Sequence, residues 1–340
     1  KASARVRDLI EEAAAATSTE LDAAQKVGDL YRSFMDVETV AARGLTPIAD
    51  DLAAIEAVTD LPGLARLVGR FARQDVPGFV AVIIDVDEKD PQSYVAYLEQ
   101  AGLGLPDEAY YREEKFAAIR TAYSSHIDKL LTLAGVGSEG AGQRLLALET
   151  RIASAHWDNV STRDADRTYN PMTRAELEAH ASGIPWAEFI DGIGAPATVF
   201  DKVIVREPSF VTGLAAALHE ESLADWKIWA RYHLVRAMAP FLTEELVAED
   251  FDFTGRVISG MPQIKDRWKR GVMLVEGYLG EAAGQLYVAK WFPPEAKERM
   301  VTLVAHLVEA FRRSFAALEW MSPETRAAAE AKLATFRPKI

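Results

Sequence analysis

The residues most capable of catalysis in this sequence are six histidines, and their spacing limits what they can do. Hydrolases of the H-E-x-x-H type place two histidines one helical turn apart, so that both imidazoles reach one zinc ion while the glutamate activates its water. No two of the histidines lie within four positions of each other: they are His126, His156, His180, His219, His233 and His306. His219 and Glu220 begin such a pattern, but Leu223 stands where the second histidine belongs. We therefore expect no catalytic or metal-ligating residue here, and we interpret His219 as a solvated helical histidine.

A glycine-rich string, Gly135 to Gly140, matches the G-x-G-x-x-G fingerprint of dinucleotide-binding sites. That fingerprint follows a β-strand, because its glycines let a pyrophosphate approach the first turn of the helix that comes next. The preceding residues, 126–134, instead carry their apolar side chains at helical spacing. We interpret the string as a loop between two helices.

Two charged strings also deserve a chemical interpretation. Asp85 to Asp90 resembles the start of a calcium loop, with oxygen ligands at alternate positions, but it lacks the glycine at the sixth place and the glutamate at the twelfth. A charged hairpin turn accounts for it better. Arg163 to Arg167 alternates in sign, which suits either a buried ion network or an exposed helix end.

Composition restricts the class of protein. The 340 residues are 49% hydrophobic, enough to bury a sizeable core. The formal net charge of -13 disfavours binding to nucleic acid or to an anionic membrane through a general basic surface. The chain has no cysteine, so it can form neither a disulfide nor a thiolate metal site. Its longest apolar stretches, such as residues 79–84, are far shorter than the roughly 20 residues of a membrane span, so we expect no membrane segment.

The elements that must position these residues are mainly α-helices. Residues 304–318 show the pattern well, because six apolar side chains fall on one stripe and predict a core-facing helix: Val304, Leu307, Val308, Phe311, Phe315 and Leu318. Capping patterns predict further helix starts near residues 174 and 323. The one clear β signal predicts a hairpin over residues 79–98. Gly280 and Gly284 stand four apart, which permits close packing of helices in a core.

Eight strings, in this order, resemble the N-terminal half of zinc metallopeptidases of the neprilysin and endothelin-converting enzyme family, and they look most similar to the actinobacterial members, including those of mycobacteria. They lie at residues 27–36, 44–47, 102–111, 148–157, 163–170, 266–270, 280–288 and 319–326. The resemblance covers residues from about 25 to 340. It predicts that this chain is the N-terminal part of a longer protein.

What the resemblance implies is a two-lobed metallopeptidase, with a large helical cap lobe over a thermolysin-like catalytic lobe. In such relatives the H-E-x-x-H motif and a downstream glutamate belong to the C-terminal half, where zinc acts as Lewis acid and the motif glutamate as general base. No catalytic or metal residue can be carried over onto this sequence by position, and its substrate-binding residues are unknown. We expect zinc in the intact enzyme and none bound by this chain.

The resemblance also yields expectations on organisation and partners. We expect residues 1–290 to form the helical cap lobe, with segments shared with the catalytic lobe, and residues 291–340 to form helices that lead toward that lobe. The expected partners are a peptide or small-protein substrate and the C-terminal catalytic half. We expect a bacterial protein that is cytoplasmic or exported without a visible signal. The alternative is a stand-alone helical binding module without catalytic activity.

Overall fold

Helical periodicity in the sequence corresponds to a mainly helical structure in the computed structural model, which describes residues 2–16 and 22–340. The α-helices of these residues are α1 (Ala2–Ala15), α2 (Ala23–Met35), α3 (Val37–Arg43), α4 (Ala49–Ala57), α5 (Leu61–Arg73), α6 (Ala109–Arg112), α7 (Ala117–Leu133), α8 (Ala141–Ala153), α9 (Arg174–His180), α10 (Trp186–Ile193), α11 (Pro208–Glu220), α12 (Leu223–Met238), α13 (Glu244–Asp250), α14 (Arg267–Trp291), α15 (Pro294–Ala317) and α16 (Pro323–Ala334). A π-helical turn at Phe251–Ile258 extends α13.

One small sheet accompanies the helices, and its strands are β1 (Val80–Asp87), β2 (Asp90–Gln100), β3 (Pro171–Thr173) and β4 (Lys202–Val205). The strand order is β1-β2-β4-β3. β1 and β2 form the predicted antiparallel hairpin, with Val80 opposite Gln100. β2 pairs with β4 in parallel, and β4 pairs with β3 antiparallel. The hairpin prediction is therefore confirmed, while β3 and β4 were too short to show a strand period.

Both predicted helix starts are confirmed by their caps. The Thr173 side chain accepts a hydrogen bond from the Glu176 amide, and the Glu176 carboxylate accepts one from the Thr173 amide, which is a complete capping box at the start of α9. At α16, the Ser322 side chain accepts from the Thr325 amide, and Pro323 occupies the first helical position. The loop prediction for residues 135–140 also holds, since they connect α7 to α8.

The chain divides into two compact units. The first, which we call the central unit, comprises residues 37–264 and contains the largest hydrophobic core. Aromatic rings fill the middle of that core: Phe79 lies 5.5 Å from Trp226 and 5.6 Å from Trp229, measured between ring centroids. All three side chains are buried, so this unit has a closed interior built from its own residues.

The second, which we call the terminal unit, joins the described residues of 1–36 with residues 265–340. Its core is smaller and lies where α1, α2 and α14 meet, around Ile10, Val27 and Val275. Gly28 permits the close crossing of α1 and α2, because a Cβ at this position would lie 2.3 Å from the Ala13 carbonyl oxygen. The placement of a lobe boundary near residue 290 stays a prediction.

The interpretation of residues 304–318 as a core-facing helix is wrong in one respect. Residues 304–317 are helical, within α15, and Leu318 caps that helix, but neither α15 nor α16 contains a buried residue. Phe311, on the predicted apolar stripe, is 57% exposed. Likewise Gly280 and Gly284 face open space rather than a packed neighbour, because no atom of the described structure lies within 4 Å of a Cβ built there. Periodicity reveals an apolar face but not what covers it.

The contact between α5 and α10 generates a stability prediction. A Cβ added at Gly69 would lie 2.0 Å from the Phe189 carbonyl oxygen, and one added at Gly192 would lie 2.1 Å from the Arg66 carbonyl oxygen. We expect Gly69→Ala to lower the free energy of unfolding of the central unit by about 1–3 kcal/mol, because the two helix backbones must separate. Urea unfolding followed by tryptophan fluorescence measures the change.

The matched control is Gly277→Ala in α14, where a Cβ meets no atom within 4 Å. Since alanine is the better helix former, this variant should be unchanged or more stable, by at most about 1 kcal/mol. Equal effects of the two substitutions would contradict the close-contact explanation.

Candidate functional site

The structure distributes the six histidines over separate elements instead of bringing them together. Five of them have a polar partner of their own: His126 with Glu249, His156 with the Ala101 carbonyl, His180 with the Pro208 carbonyl, His219 with the Gly183 carbonyl and His233 with Glu149. His306 lies exposed on α15. Within residues 2–16 and 22–340, no group of three or more His, Cys, Asp or Glu side chains is placed to hold a metal ion. The described residues therefore do not fit a zinc centre.

A buried cluster of hydrogen-bonded polar side chains surrounds Glu149, a fully buried carboxylate on α8 in the central unit. Its Oε2 accepts hydrogen bonds from the hydroxyls of Tyr111 at 2.6 Å and Tyr123 at 2.9 Å. Its Oε1 lies 3.0 Å from Nε2 of His233. The carboxylate thus joins α6, α7, α8 and α12 through side chains that are themselves buried.

The same cluster fixes the turn that contains Gly104. The Tyr111 hydroxyl accepts hydrogen bonds from the amides of Gly104 at 3.2 Å and Leu105 at 2.9 Å. Arg236 on α12 donates to the Gly104 carbonyl at 2.5 Å. A Cβ at Gly104 would lie 1.8 Å from the Tyr123 hydroxyl oxygen, so glycine is required there. This Gly-Leu-Gly-Leu-Pro string is therefore architectural, held by the nearby Tyr111 and by Arg236, which is 132 positions from Gly104.

Protonation within the cluster follows from burial. Burial and the Glu149 charge raise the pKa of Tyr111 and that of Tyr123 well above the ordinary value of tyrosine. Both hydroxyls therefore keep their protons and remain donors to the carboxylate. No buried polar side-chain atom of Glu149, Tyr111, Tyr123 or His233 lacks a hydrogen-bond partner, which is the mark of a structural network rather than of a poised acid or base.

Sequence reasoning missed the role of Glu149, although a signal was present. On α8 this residue lies among the buried apolar residues Leu145, Leu148 and Ile152, at helical spacing. A carboxylate on the apolar face of a helix must find partners, because an isolated buried charge is costly. Those partners are 26 to 84 positions away along the chain, so the helix alone could not identify them.

A second buried group, His126 on α7, packs beside this cluster. Its ring stacks on Phe253 with centroids 4.7 Å apart, and Nδ1 lies 3.1 Å from the Glu249 carboxylate. Burial lowers the pKa of His126 to about 3, so the imidazole is neutral at pH 7 and Nδ1–H donates to Glu249. Its Nε2 is buried and has no hydrogen-bond partner among the described residues.

The acidic string Asp85 to Asp90 is a hairpin turn, as predicted, but one of its carboxylates is structural. Asp87 is buried and accepts hydrogen bonds from Lys202 at 2.7 Å, from Tyr169 at 2.8 Å and from the Lys89 amide at 2.9 Å. The Lys202 ammonium, with the Lys89 amide and the Tyr169 hydroxyl, lowers the pKa of Asp87 to about 2. The hairpin tip is thereby fastened to β4.

The other charged string, Arg163 to Arg167, is exposed rather than part of a buried network. Asp164 accepts hydrogen bonds from the amides of Asp166 and Arg167 at 3.2 Å, so it stabilises a turn and forms no ion pair with Arg163 in the described structure. The Arg167 guanidinium lies 4.6 Å from the centre of the Trp157 ring. Of the two alternatives left open by the sequence, the exposed one is closer: Arg163 ends the 3₁₀ turn Ser161–Arg163, and residues 165–167 form an ordinary turn.

Removing the central carboxylate should reveal its structural importance. We expect Glu149→Ala to lower the free energy of unfolding by roughly 3 kcal/mol or more, because two tyrosine hydroxyls and an imidazole lose their buried partner. Glu149→Gln keeps one acceptor oxygen, so its free energy of unfolding should lie between that of Glu149→Ala and that of the unmodified protein. Chemical unfolding measures all three proteins.

Glu178→Ala is the matched control, since Glu178 forms an exposed ion pair with Arg174 on α9. It should change the free energy of unfolding by at most about 0.5 kcal/mol. A Glu149→Ala protein as stable as this control would refute the role assigned to the cluster.

Acid sensitivity should follow from two buried imidazoles. Burial lowers the pKa of His126 to about 3 and that of His156 to about 4, below the usual value of histidine in unfolded chains, about 6.5. The unfolded state therefore binds protons first as pH falls, so stability is retained above pH 6.5 and declines from there toward pH 4. Unfolding at several pH values should show this slope.

The variant His126→Asn removes one of the two buried imidazoles. It should therefore reduce the slope of the free energy of unfolding against pH by the equivalent of up to one proton. The control, His306→Asn, alters a side chain exposed to water on α15 and should leave the slope as it is. An unchanged slope in His126→Asn would contradict the neutral state of His126.

Comparison with known proteins places these features in a family context. The profile of the N-terminal region of Peptidase family M13 matches residues 1–340. The structure is similar to zinc metalloprotease Zmp1 of Mycobacterium tuberculosis in its open state, with a TM-score of 0.90 and 44% sequence identity over 99% of this chain. Mouse endothelin-converting enzyme 1 is 26% identical over 96% of this chain, and mouse neprilysin is 22% identical over 98% of it.

The chain spans about half the length of these relatives: 53% of Zmp1, 44% of endothelin-converting enzyme 1 and 48% of neprilysin. The predicted resemblance, to the family and to its mycobacterial members, is confirmed by sequence and by fold. Since the family profile covers every residue from 1 to 340, the chain belongs to Peptidase family M13.

Proposed function

We propose that this chain is the non-catalytic N-terminal portion of a zinc-dependent endopeptidase that cleaves peptides and small proteins. The observation that carries the proposal is the match of the whole chain to only about half of relatives that are zinc metalloproteases by name. The zinc ion, when bound, supplies a Lewis acid for attack of water on the peptide carbonyl. Its ligands belong to the C-terminal half of the polypeptide, as does the general base.

The central unit is the part that we assign to the cap over the substrate cavity. Its core is closed by its own residues, and its buried polar groups are engaged in structural networks such as the one around Glu149. Such a rigid body can enclose a cavity and limit the size of the substrate without touching the scissile bond. The Zmp1 structures in an open and a partial open state support a cap that opens to admit substrate.

The terminal unit is the part that we assign to the junction with the catalytic lobe. Its last two helices, α15 and α16, contain no buried residue, although α15 has a continuous apolar stripe. Apolar faces of this length are normally covered in a complete protein. In our proposal, the boundary between the cap and the junction lies between the central unit, residues 37–264, and the terminal unit. It replaces the boundary near residue 290 that was expected from the sequence.

The rival function, a stand-alone helical binding module, is less well supported. Zmp1 is a zinc metalloprotease by name, and 44% identity with this mycobacterial protein supports a bacterial protease as the source protein. Among the described residues, none of the helices combines the length and apolar character that crossing a membrane requires. The site of action within or outside the cell stays a prediction.

A comparison of the complete gene product with the 340-residue chain tests the proposal. We expect the complete product to bind one zinc ion per polypeptide and to cleave peptides, and a chelator to abolish cleavage, because removal of the metal removes the Lewis acid. The 340-residue chain should neither bind zinc stoichiometrically nor cleave. Elemental analysis and a fluorogenic peptide assay measure both properties.

The control for nonspecific damage is readdition of zinc after chelation, which should restore cleavage. A complete product that contains no zinc and cleaves no peptide would refute the proposal and favour the binding module.

A further inference from the structure

The terminal unit contains an apolar groove that no residue of the described structure fills. It lies between α15 and α16 and has a volume of about 600 Å³. Its lining is apolar except for Lys332, and the lining residues are Val304, Leu307, Val308, Phe311, Phe315, Ala329, Lys332, Leu333 and Phe336. Leu307, Phe311 and Phe336 are each more than half exposed. This surface is too apolar and too continuous to be ordinary solvent-exposed surface.

The shape of the groove indicates a helical occupant. The α15 side of the lining runs from Val304 to Phe315 at helical spacing, which corresponds to about 16 Å at 1.5 Å per residue. The groove between two packed helices is a common seat for a third, whose side chains fit between the ridges. An extended segment would leave backbone N–H and C=O groups unpaired against this apolar floor.

Charge indicates which kind of helix fits. Residues 294–340 contain eight Lys or Arg and six Asp or Glu, so this segment is net positive in a chain whose net charge is -13. Lys332 at the groove, with Arg337 and Lys339 just beyond it, forms no ion pair among the described residues. Acidic side chains next to the apolar stripe of the occupant would complement these cations.

A second copy of this chain fits less well. A symmetric contact would place the same groove on both partners, so that Lys332 and its neighbouring cations would face each other. The relatives, in contrast, are about twice as long as this chain, since the chain covers only 53% of Zmp1. A segment of the same polypeptide therefore has both the length and the effective concentration to fill the groove.

We propose that the α15/α16 groove seats one amphipathic helix of about three turns, with acidic residues beside its apolar stripe, from the part of the polypeptide that follows residue 340. This inference rests on the proposed function, because it requires a C-terminal half. It goes further by naming the surface on which that half docks and the chemistry of the segment that docks there.

Cysteine labelling tests the proposal, and in this chain the background is clean because it contains no cysteine. The probe is N-ethylmaleimide, read out on the labelled peptide by mass spectrometry. Leu307→Cys places the thiol in the groove, and Arg313→Cys, on a side chain that is 75% exposed and outside the groove lining, is the control. Each variant is made in the 340-residue chain and in the complete gene product.

We expect Leu307→Cys to react at least about tenfold more slowly in the complete product than in the 340-residue chain, because the thiol becomes accessible only when the helix leaves. Arg313→Cys should react equally fast in both. Equal rates for Leu307→Cys in a complete product that binds zinc and cleaves peptides would overturn this inference and leave the proposed function intact. A complete product without zinc or activity refutes the proposed function instead.

The identity of the occupant is tested by a photo-crosslinker, benzophenone maleimide, attached at Leu307→Cys in the complete product. The expected crosslink joins residue 307 to a peptide beyond residue 340 with an acidic, amphipathic sequence. Crosslinks to residues 1–340 of another copy, or protection that rises with the concentration of the 340-residue chain, would overturn the inference in favour of self-association.

A charge-reversal variant tests the proposed attraction between Lys332 and the acidic residues of the docked helix. Lys332→Glu should lower the protection of Leu307→Cys, taken as the ratio of the rates in the two proteins, by roughly threefold, because acidic flanks would then be repelled. Lys297→Glu, at an exposed position of α15 outside the groove lining, should leave the ratio unchanged. Equal protection in Lys332→Glu and Lys297→Glu would overturn the acidic character assigned to the occupant.

Discussion

A single buried carboxylate connects the parts of the central unit. Glu149 receives hydrogen bonds from Tyr111 and Tyr123 and pairs with His233, and through Tyr111 it also fixes the turn at Gly104. A buried charge is tolerated only when its lone pairs are satisfied, so this network specifies one arrangement of α6, α7, α8 and α12. The aromatic core adjoins this network, because the ring centroid of Trp229 lies 4.6 Å from that of His233.

The two units differ in what they leave exposed. In the central unit, buried polar groups such as His126 and Asp87 serve to hold elements together. In the terminal unit the unusual surface is apolar, between α15 and α16. Among the described residues, the buried polar groups thus serve structural contacts, whereas the surface between α15 and α16 is apolar and suited to association. Under the proposed function, a rigid central unit suits a cap, and an apolar face that another segment covers suits a junction.

Local signals in the sequence predicted those features that depend on neighbouring residues. The starts of α9 and α16 follow from Thr173 and Ser322, and the β1–β2 hairpin follows from a run of β-branched residues before a charged turn. Long-range features were not predictable in this way. The partners of Glu149 lie on other helices, and the described residues cover the stripe on α15 only in part, because Phe311 on that stripe is 57% exposed. The family, in contrast, was evident from eight strings in register, because such strings preserve the architecture of the whole lobe.

We propose that this chain is one half of a zinc peptidase and that the other half supplies the chemistry. The intact mass and metal content of the native polypeptide, purified from its source and measured by native mass spectrometry, test this proposal. We expect a polypeptide of roughly twice the 37.4 kDa of this chain, carrying one zinc ion, since the chain covers 53% of Zmp1. A native polypeptide of 37.4 kDa that carries no zinc would contradict it.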